Sequence, residues 1–375
     1  MKNFNRRQWL KAMGLTGVAV ASGTMAKATN TPSPSSAKNI SEIGQPVRLT
    51  SNENPYAPAA SVKKAMHDAM DLSFRYPVSH YKVLLEKLAK KEGVPANHIL
   101  LTSGSNEGLR VVGLTYGLNS GEIIAGIPTY RALLSYAEEI GAYINQVPLN
   151  EQLEYDLGEI EKRINTNTKL IFLCNPNNPT GGLLDSEEVK AFCKSACKRT
   201  MVFSDEAYYD YVTDKNYPSM VHLVKDGYNV IVSKTFSKVY GFAGVRVGYL
   251  IARPDIIQRL RPKVMSYVNM MGVYGAAAAL DDQEFYDYSL EMNDKARKHI
   301  YSVCDDLKLE YVPSHANFVF IKTGRDVRTF AAQMQEQNVL VGRPFEPLTN
   351  WCRVSTSTME DMAAWERAIR KVIKV

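Results

Sequence analysis

The stretch Ser233-Lys234-Thr235-Phe236-Ser237-Lys238-Val239-Tyr240-Gly241-Phe242-Ala243-Gly244-Val245-Arg246 follows a short β-rich apolar run, Asn229–Val232. It reads as a strand that ends by delivering hydroxyls, lysines and an arginine to the edge of a sheet. Two runs upstream end in the same manner. After Lys169–Leu173 comes Cys174-Asn175-Pro176-Asn177-Asn178-Pro179-Thr180-Gly181-Gly182, and after Met201–Phe203 comes Ser204-Asp205-Glu206-Ala207-Tyr208-Tyr209. In open α/β sheets ligands sit beyond the carboxyl ends of the strands. The three runs therefore predict one rim that gathers an amide, a carboxylate, a phenol, a lysine and an arginine.

Between and before these runs the chain alternates two periods. Tyr81–Glu92, Asn106–Tyr116 and Leu133–Ile140 have helical spacing, whereas His98–Leu101 and Glu122–Gly126 are short and apolar. Asp185–Arg199 is an amphipathic helix opened by Asp185, with Glu188 three residues on as a capping box. Continuous apolar strands between helices mean strands covered on both faces, so the expected class is α/β with a mostly parallel sheet. No internal repeat is present.

Taken singly, the rim residues have plain readings. Asp205 suits a helix N-cap, Lys238 a solvated lysine, Arg246 a structural ion pair, and Tyr208 a core residue with a wet tip. Taken jointly, they match the needs of an aldehyde cofactor with a pyridine ring and a phosphate. Such a group requires an amine for a Schiff base, a carboxylate for its ring nitrogen, and amide and hydroxyl donors for its ring oxygen. Its phosphate requires cations and backbone N–H groups.

The motifs Asn52-Glu53-Asn54-Pro55-Tyr56, Tyr76-Pro77, Gly104-Ser105-Asn106-Glu107-Gly108, Asn177-Asn178-Pro179-Thr180-Gly181, Asp205-Glu206-Ala207-Tyr208 and Ser237-Lys238, with Gly244 and Arg246, stand in this order. In order and spacing the chain resembles the fold-type I pyridoxal-phosphate aminotransferases, and among them the histidinol-phosphate aminotransferase group, over residues 46–375. The resemblance implies a large domain, 75–265, with a mostly parallel seven-stranded sheet. It implies a smaller α/β domain from 46–74 and 266–375. It implies pyridoxal 5'-phosphate as cofactor, and ping-pong transfer of an amino group from a small-molecule donor to a 2-oxo acid. By the same resemblance, Lys238 forms the Schiff base and moves protons, Asp205 pairs with the ring nitrogen, and Tyr208 and Asn178 bond the ring oxygen. Tyr130 stacks on the ring. Ser105, Asn106, Thr235, Ser237 and Arg246 hold the phosphate, and Tyr76 reaches it from the neighbouring subunit of a homodimer. Tyr76 also suits a turn aromatic before Pro77. Arg353, in Asn350-Trp351-Cys352-Arg353-Val354-Ser355, grips the substrate carboxylate, with Asn178 and Asn54 beside the substrate.

In histidinol-phosphate aminotransferases an arginine directly after an apolar strand binds the substrate phosphate. Here Gly342 separates Val339-Leu340-Val341 from Arg343. One residue of offset turns a strand side chain to the opposite face, and a bulge or turn at Gly342 would turn it back. A pyridoxal-phosphate decarboxylase or lyase on the same fold, and an exported cofactor-binding protein without activity, are the alternatives to an aminotransferase.

Composition narrows the remaining classes. The 375 residues are 45% hydrophobic and 22% charged, as in a globular protein. The net charge of +6 is concentrated at the N-terminus, where residues 1–28 hold Lys2, Arg6, Arg7, Lys11 and Lys27 and no acid. The rest has 40 basic and 39 acidic residues, which gives no reason to expect nucleic acid. Residues 5–11, a weakly apolar run from Ala12 to Ala26, and Ala26-Lys27-Ala28 follow the order of an export signal. The Arg6-Arg7 pair with Trp9 and Lys11 resembles a twin-arginine signal. That resemblance implies passage through the twin-arginine translocase to the periplasm as folded cargo, with residues 29–45 as a linker. The five cysteines have no disulfide pattern, and Cys193 and Cys197, one helical turn apart, read as a packed helix face rather than half of a metal site; no metal is expected.

Overall fold

A computed structural model describes residues 45–56 and 58–373. The expected signal, 1–28, lies outside the described residues, as does all of the expected linker except its last residue. The strands in chain order are β1 (Val47–Arg48), β2 (Ile99–Thr102), β3 (Glu122–Ile127), β4 (Tyr143–Pro148), β5 (Thr168–Cys174), β6 (Met201–Asp205), β7 (Val230–Thr235), β8 (Gly248–Ile251), β9 (Tyr311–Val312), β10 (Phe318–Lys322), β11 (Val339–Leu340) and β12 (Trp351–Ser355). Seven of them form one sheet in the order β2-β8-β7-β6-β5-β3-β4. All pairings from β4 across to β7 are parallel, and β8 runs antiparallel to both of its neighbours.

The sheet is sandwiched, and the period of two shows it. Along β5, Leu170 and Phe172 pack into one core with Leu109, Val112, Leu133 and Ile257. Ile171 and Leu173 pack into the other with Leu84, Leu88, Val189 and Phe192. The helices Ser105–Gly117, Ala132–Glu139 and Pro254–Leu260 thus cover one face, and Tyr81–Glu92 and Ser186–Ala196 cover the other. Only β4, at the edge, alternates buried and open positions.

A second region is built from the two ends of the described chain. β10 lies between β12 and β9 in an antiparallel sheet, and β1 pairs in parallel with β11. Their core holds Leu49, Ile300, Phe330, Val354 and Trp365. The helices Ala60–Ala69 and Met270–Ala279, expected with this region, instead place Val62, Val273 and Ala276 in the core of the large sheet.

Local signals explain most boundaries. Asp185 caps its helix by accepting the N–H groups of Glu187 at 2.9 Å and Glu188 at 3.0 Å. The return bond that would complete a capping box is absent among the described residues, and Glu188 is exposed. That helix ends at Ala196, and residues 197–199 form a turn.

Candidate active site

Parallel strands put their carboxyl ends on one rim, and the reversal of β8 brings its amino end to the same rim. So the residues after β2, β3, β5, β6 and β7 meet those before β8. Lys238, Asp205, Tyr208, Asn178, Tyr130, Ser105, Asn106, Thr235, Ser237 and Arg246 all belong to these segments.

Lys234 and Lys238, four residues apart, have different surroundings. Lys234 lies within β7, with Nζ 2.9 Å from Glu92 and 3.6 Å from Glu206. Burial disfavours its charge, but the two carboxylates outweigh burial and raise its pKa. Glu92 also accepts the Tyr249 hydroxyl at 2.8 Å, and Glu206 accepts Ser219 Oγ at 2.6 Å and the Met220 N–H at 2.7 Å. This lysine is a fixed cation that ties the ends of β6 and β7 together. Lys238 has no carboxylate within salt-bridge distance among the described residues. Its Nζ donates to the Asn52 carbonyl at 3.0 Å and lies 5.3 Å from the Tyr208 ring centroid. Burial, then the nearby Arg353 cation, pushes it down to about 8. It is the ammonium that can lose its proton near neutral pH.

Asp205 ends β6 and is 2% exposed. Burial pushes its carboxyl up to about 7, and its Oδ1 has no hydrogen-bond partner among the described residues. A buried carboxylate oxygen without a partner is costly and requires a donor. A protonated pyridine nitrogen is such a donor.

Tyr208 is buried and accepts Asn178 Nδ2 at 3.1 Å and Asn52 Nδ2 at 3.0 Å. Asn178 Oδ1 in turn accepts Arg353 Nη1 at 2.8 Å. Arg353, on β12, has its other Nη on the Thr50 carbonyl, and its Nε has no partner among the described residues. Burial lowers its pKa, and among the described residues no carboxylate pairs with it. A buried guanidinium without a counter-ion is a grip for an anionic ligand.

The anion cradle is shaped by two glycines. Gly104 precedes the helix Ser105–Gly117 at φ +80°, and a Cβ there would lie 2.1 Å from Arg246 Nη2. A Cβ on Gly248, at the start of β8, would lie 2.5 Å from the Ser105 nitrogen. The first N–H groups of a helix have no intrahelical acceptor, so those of Ser105 and Asn106 face the cradle unpaired within the helix. Arg246 Nη1 donates to Ser237 Oγ at 3.3 Å and to the Ala243 carbonyl at 2.8 Å, and Thr235 Oγ1 accepts the Ser237 N–H at 3.1 Å. Tyr130 donates to Asn106 Oδ1 at 2.8 Å, which sets its ring between β3 and this helix.

Three residues lie apart from this cluster. Asn54 Nδ2 donates to the Val239 carbonyl at 2.8 Å and to Ser289 at 3.1 Å, and its Oδ1 accepts the Tyr56 N–H, so its carboxamide is committed to the fold. Tyr76 is 80% exposed, edge-on to Tyr267 at 5.8 Å. Arg343 is exposed beyond β11, with its guanidinium 4.7 Å from the Phe345 ring centroid; Arg353 lies 5.2 Å from the same centroid. Sequence reasoning assigned no role to Asn52, or to the cluster of Thr129, Tyr155 and Asn177 joined by bonds of 2.7, 2.8 and 2.9 Å. Asn52 and Asn177 stand within recognisable motifs, but nothing local distinguishes them from their neighbours.

A profile of the class I and II aminotransferases matches residues 45–372, and the chain belongs to that family. It is an aminotransferase. It is 36% identical to the histidinol-phosphate aminotransferase of Moorella thermoacetica, over 87% of this chain and 85% of that one. It is 34% identical to the histidinol-phosphate aminotransferase of Caldicellulosiruptor saccharolyticus, over 87% and 92%. Among solved structures, the histidinol-phosphate aminotransferase of Sinorhizobium meliloti in complex with pyridoxal-5'-phosphate superposes with a TM-score of 0.80 at 26% identity, covering 87% of this chain and 90% of that one.

Proposed function

We propose that this protein moves an amino group from a donor bearing an anionic group to a 2-oxo acid, and that histidinol phosphate is the first donor to test. The cofactor is pyridoxal 5'-phosphate. The observation that carries the reading is the unpartnered Asp205 oxygen, buried on the same rim as a lysine held at about 8. The residues fit the cofactor: Asp205 for its ring nitrogen, Tyr208 and Asn178 for its ring oxygen, Tyr130 for its ring face. The Ser105–Asn106 helix start, Thr235, Ser237 and Arg246 suit its phosphate. When bound, pyridoxal phosphate supplies an electron sink for the donor's α-carbon. Lys238 takes and returns the proton at that carbon through Nζ. Arg353 orients the donor by its anionic group, and Arg343, over the same Phe345 ring, stands at the exposed side to address a second anion.

The test is a half-reaction. Loaded protein mixed with histidinol phosphate, or with single amino acids, should convert its absorbance to that of pyridoxamine phosphate with at least one donor. Lys238→Ala should abolish conversion. Release of carbon dioxide with no conversion by any donor would replace amino transfer with decarboxylation.

We infer a homodimer. Phe74, Tyr76, Val78, Met265 and Tyr267 are large, apolar and exposed on two adjoining segments, and a patch of that kind marks an association surface. Glu107, in the first turn of the cradle helix, accepts the N–H groups of Ser103, Met265 and Ser266 at 2.6, 3.0 and 2.8 Å, which joins this patch to the anion site. We also infer export in folded form through the twin-arginine route. Supporting it are the residue order of 5–28 and the five cysteines, all buried free thiols that need no oxidising compartment.

A further inference from the structure

Asn52 is 1% exposed and adopts a left-handed backbone, φ +53°, which asparagine tolerates better than most residues. Its carboxamide is fixed from behind. The Asn52 N–H donates to Ser355 Oγ at 2.9 Å, and that hydroxyl donates back to Asn52 Oδ1 at 2.7 Å. With Oδ1 engaged, Nδ2 points forward to the Tyr208 hydroxyl at 3.0 Å. Asn178 Nδ2 reaches the same oxygen at 3.1 Å, oriented by Arg353.

A phenol oxygen accepts through its lone pairs and has one proton to give. Two amide donors saturate its accepting capacity. The proton is the only hydrogen-bonding capacity left, and among the described residues it has no acceptor. Donors into an oxygen polarise its O–H and make it a stronger donor.

We propose that Asn52 is a positioning residue that, with Asn178, restricts Tyr208 to donating, so that Tyr208 stabilises negative charge on the cofactor's ring oxygen. This rests on the pyridoxal-phosphate reading of the site. The charged and titratable groups facing Tyr208 are Arg353 from β12, Lys238 beyond β7, Cys174 at the end of β5 and Tyr130 beyond β3. Substitution of Asn52 leaves all four in place.

The experiment is an absorbance titration of the pyridoxal-phosphate-loaded protein against pH. Asn52→Gly keeps the left-handed backbone and the carbonyl that receives Lys238 but removes Nδ2. A weakened phenol donor holds negative charge less well, so the titration midpoint should rise by about one pH unit. Asn52→Asp keeps the Ser355 bond and turns a donor into an acceptor for the Tyr208 proton, so it should shift the midpoint in the same direction; its added charge acts with or without the phenol, so should the glycine variant fail to fold, the part of the shift that is lost in a Tyr208→Phe background decides the matter. In a Tyr208→Phe background the shift from Asn52→Gly should vanish, which a purely structural role would not produce. An unmoved midpoint, or an equal shift with and without the Tyr208 hydroxyl, overturns the role of Asn52. Wild-type protein that forms no coloured complex overturns the cofactor reading as well.

Discussion

At the scale of single residues, Asp205 couples stability to cofactor binding. Its carboxyl is raised from an ordinary 3.8 to about 7 by burial. Between about pH 4 and 7 the folded, cofactor-free chain therefore holds a proton that the unfolded chain has released. Stability falls as pH rises through that window, by at most about 1.36 kcal/mol for each pH unit crossed. A cationic partner on the orphaned Oδ1 removes the penalty. The gain in melting temperature on adding pyridoxal phosphate should thus be several degrees larger at pH 8 than at pH 5.5, and Asp205→Asn should flatten the difference. Equal gains at both pH values in the unsubstituted protein would refute this coupling. Sequence alone exposed Asp205 and Lys238 because both follow apolar runs at strand ends. Position at a strand end does not separate Lys238 from Lys234; the Ser237-Lys238 motif did, and the physical distinction depends on Glu92, which reaches Lys234 from the helix Tyr81–Glu92. Sequence alone favoured Asn54 over Asn52 for want of any local sign that one carboxamide turns to Val239 and the other to Tyr208.

At the scale of elements, legibility follows burial geometry. The strands β3, β5, β6 and β7 were readable because covering on both faces demands continuous apolar runs. The helices Tyr81–Glu92 and Ser186–Ala196 were readable because each has one buried stripe. Met270–Ala279 was not, because it is buried nearly all round and presents no polar face to set a period. β1 and β11 have two residues each and exist only through their mutual pairing, Val47 with Val339 and Arg48 with Leu340. No local propensity specifies such strands. The cradle was legible as Gly104-Ser105-Asn106, but the need for a second glycine at 248 arises from β8 lying against that helix start.

At the scale of the whole molecule, two inferences can be checked directly. If Tyr76 serves the site of the neighbouring subunit, chains with Tyr76→Phe and chains with Lys238→Ala are each impaired. A mixed dimer, however, contains one site with both native residues. Refolding the two together should recover activity up to a quarter of the native level, on random pairing of equal amounts with half the molecules mixed and one good site in each. No recovery would place Tyr76 outside the partner's site. Replacing Arg6 and Arg7 by lysines should retain the protein in the cytoplasm on fractionation, and unchanged distribution would dismiss the twin-arginine route. Among the described residues no helix is long and apolar enough to cross a membrane.

The segment Val47–Asn52 has a consequence for the order in which the protein becomes competent. Synthesis from the ribosome completes the rim between Thr102 and Gly248 while the last third of the chain is still unmade. The cradle, Asp205 and Lys238 can then be in place. Leu49, Thr50 and Asn52 emerge before any part of that rim, yet they find their partners Leu340, Arg353 and Ser355 only at the end. The nascent chain thus acquires the means to hold its cofactor before the means to recognise an amine donor, and a segment made ahead of the whole sheet is among the last to settle.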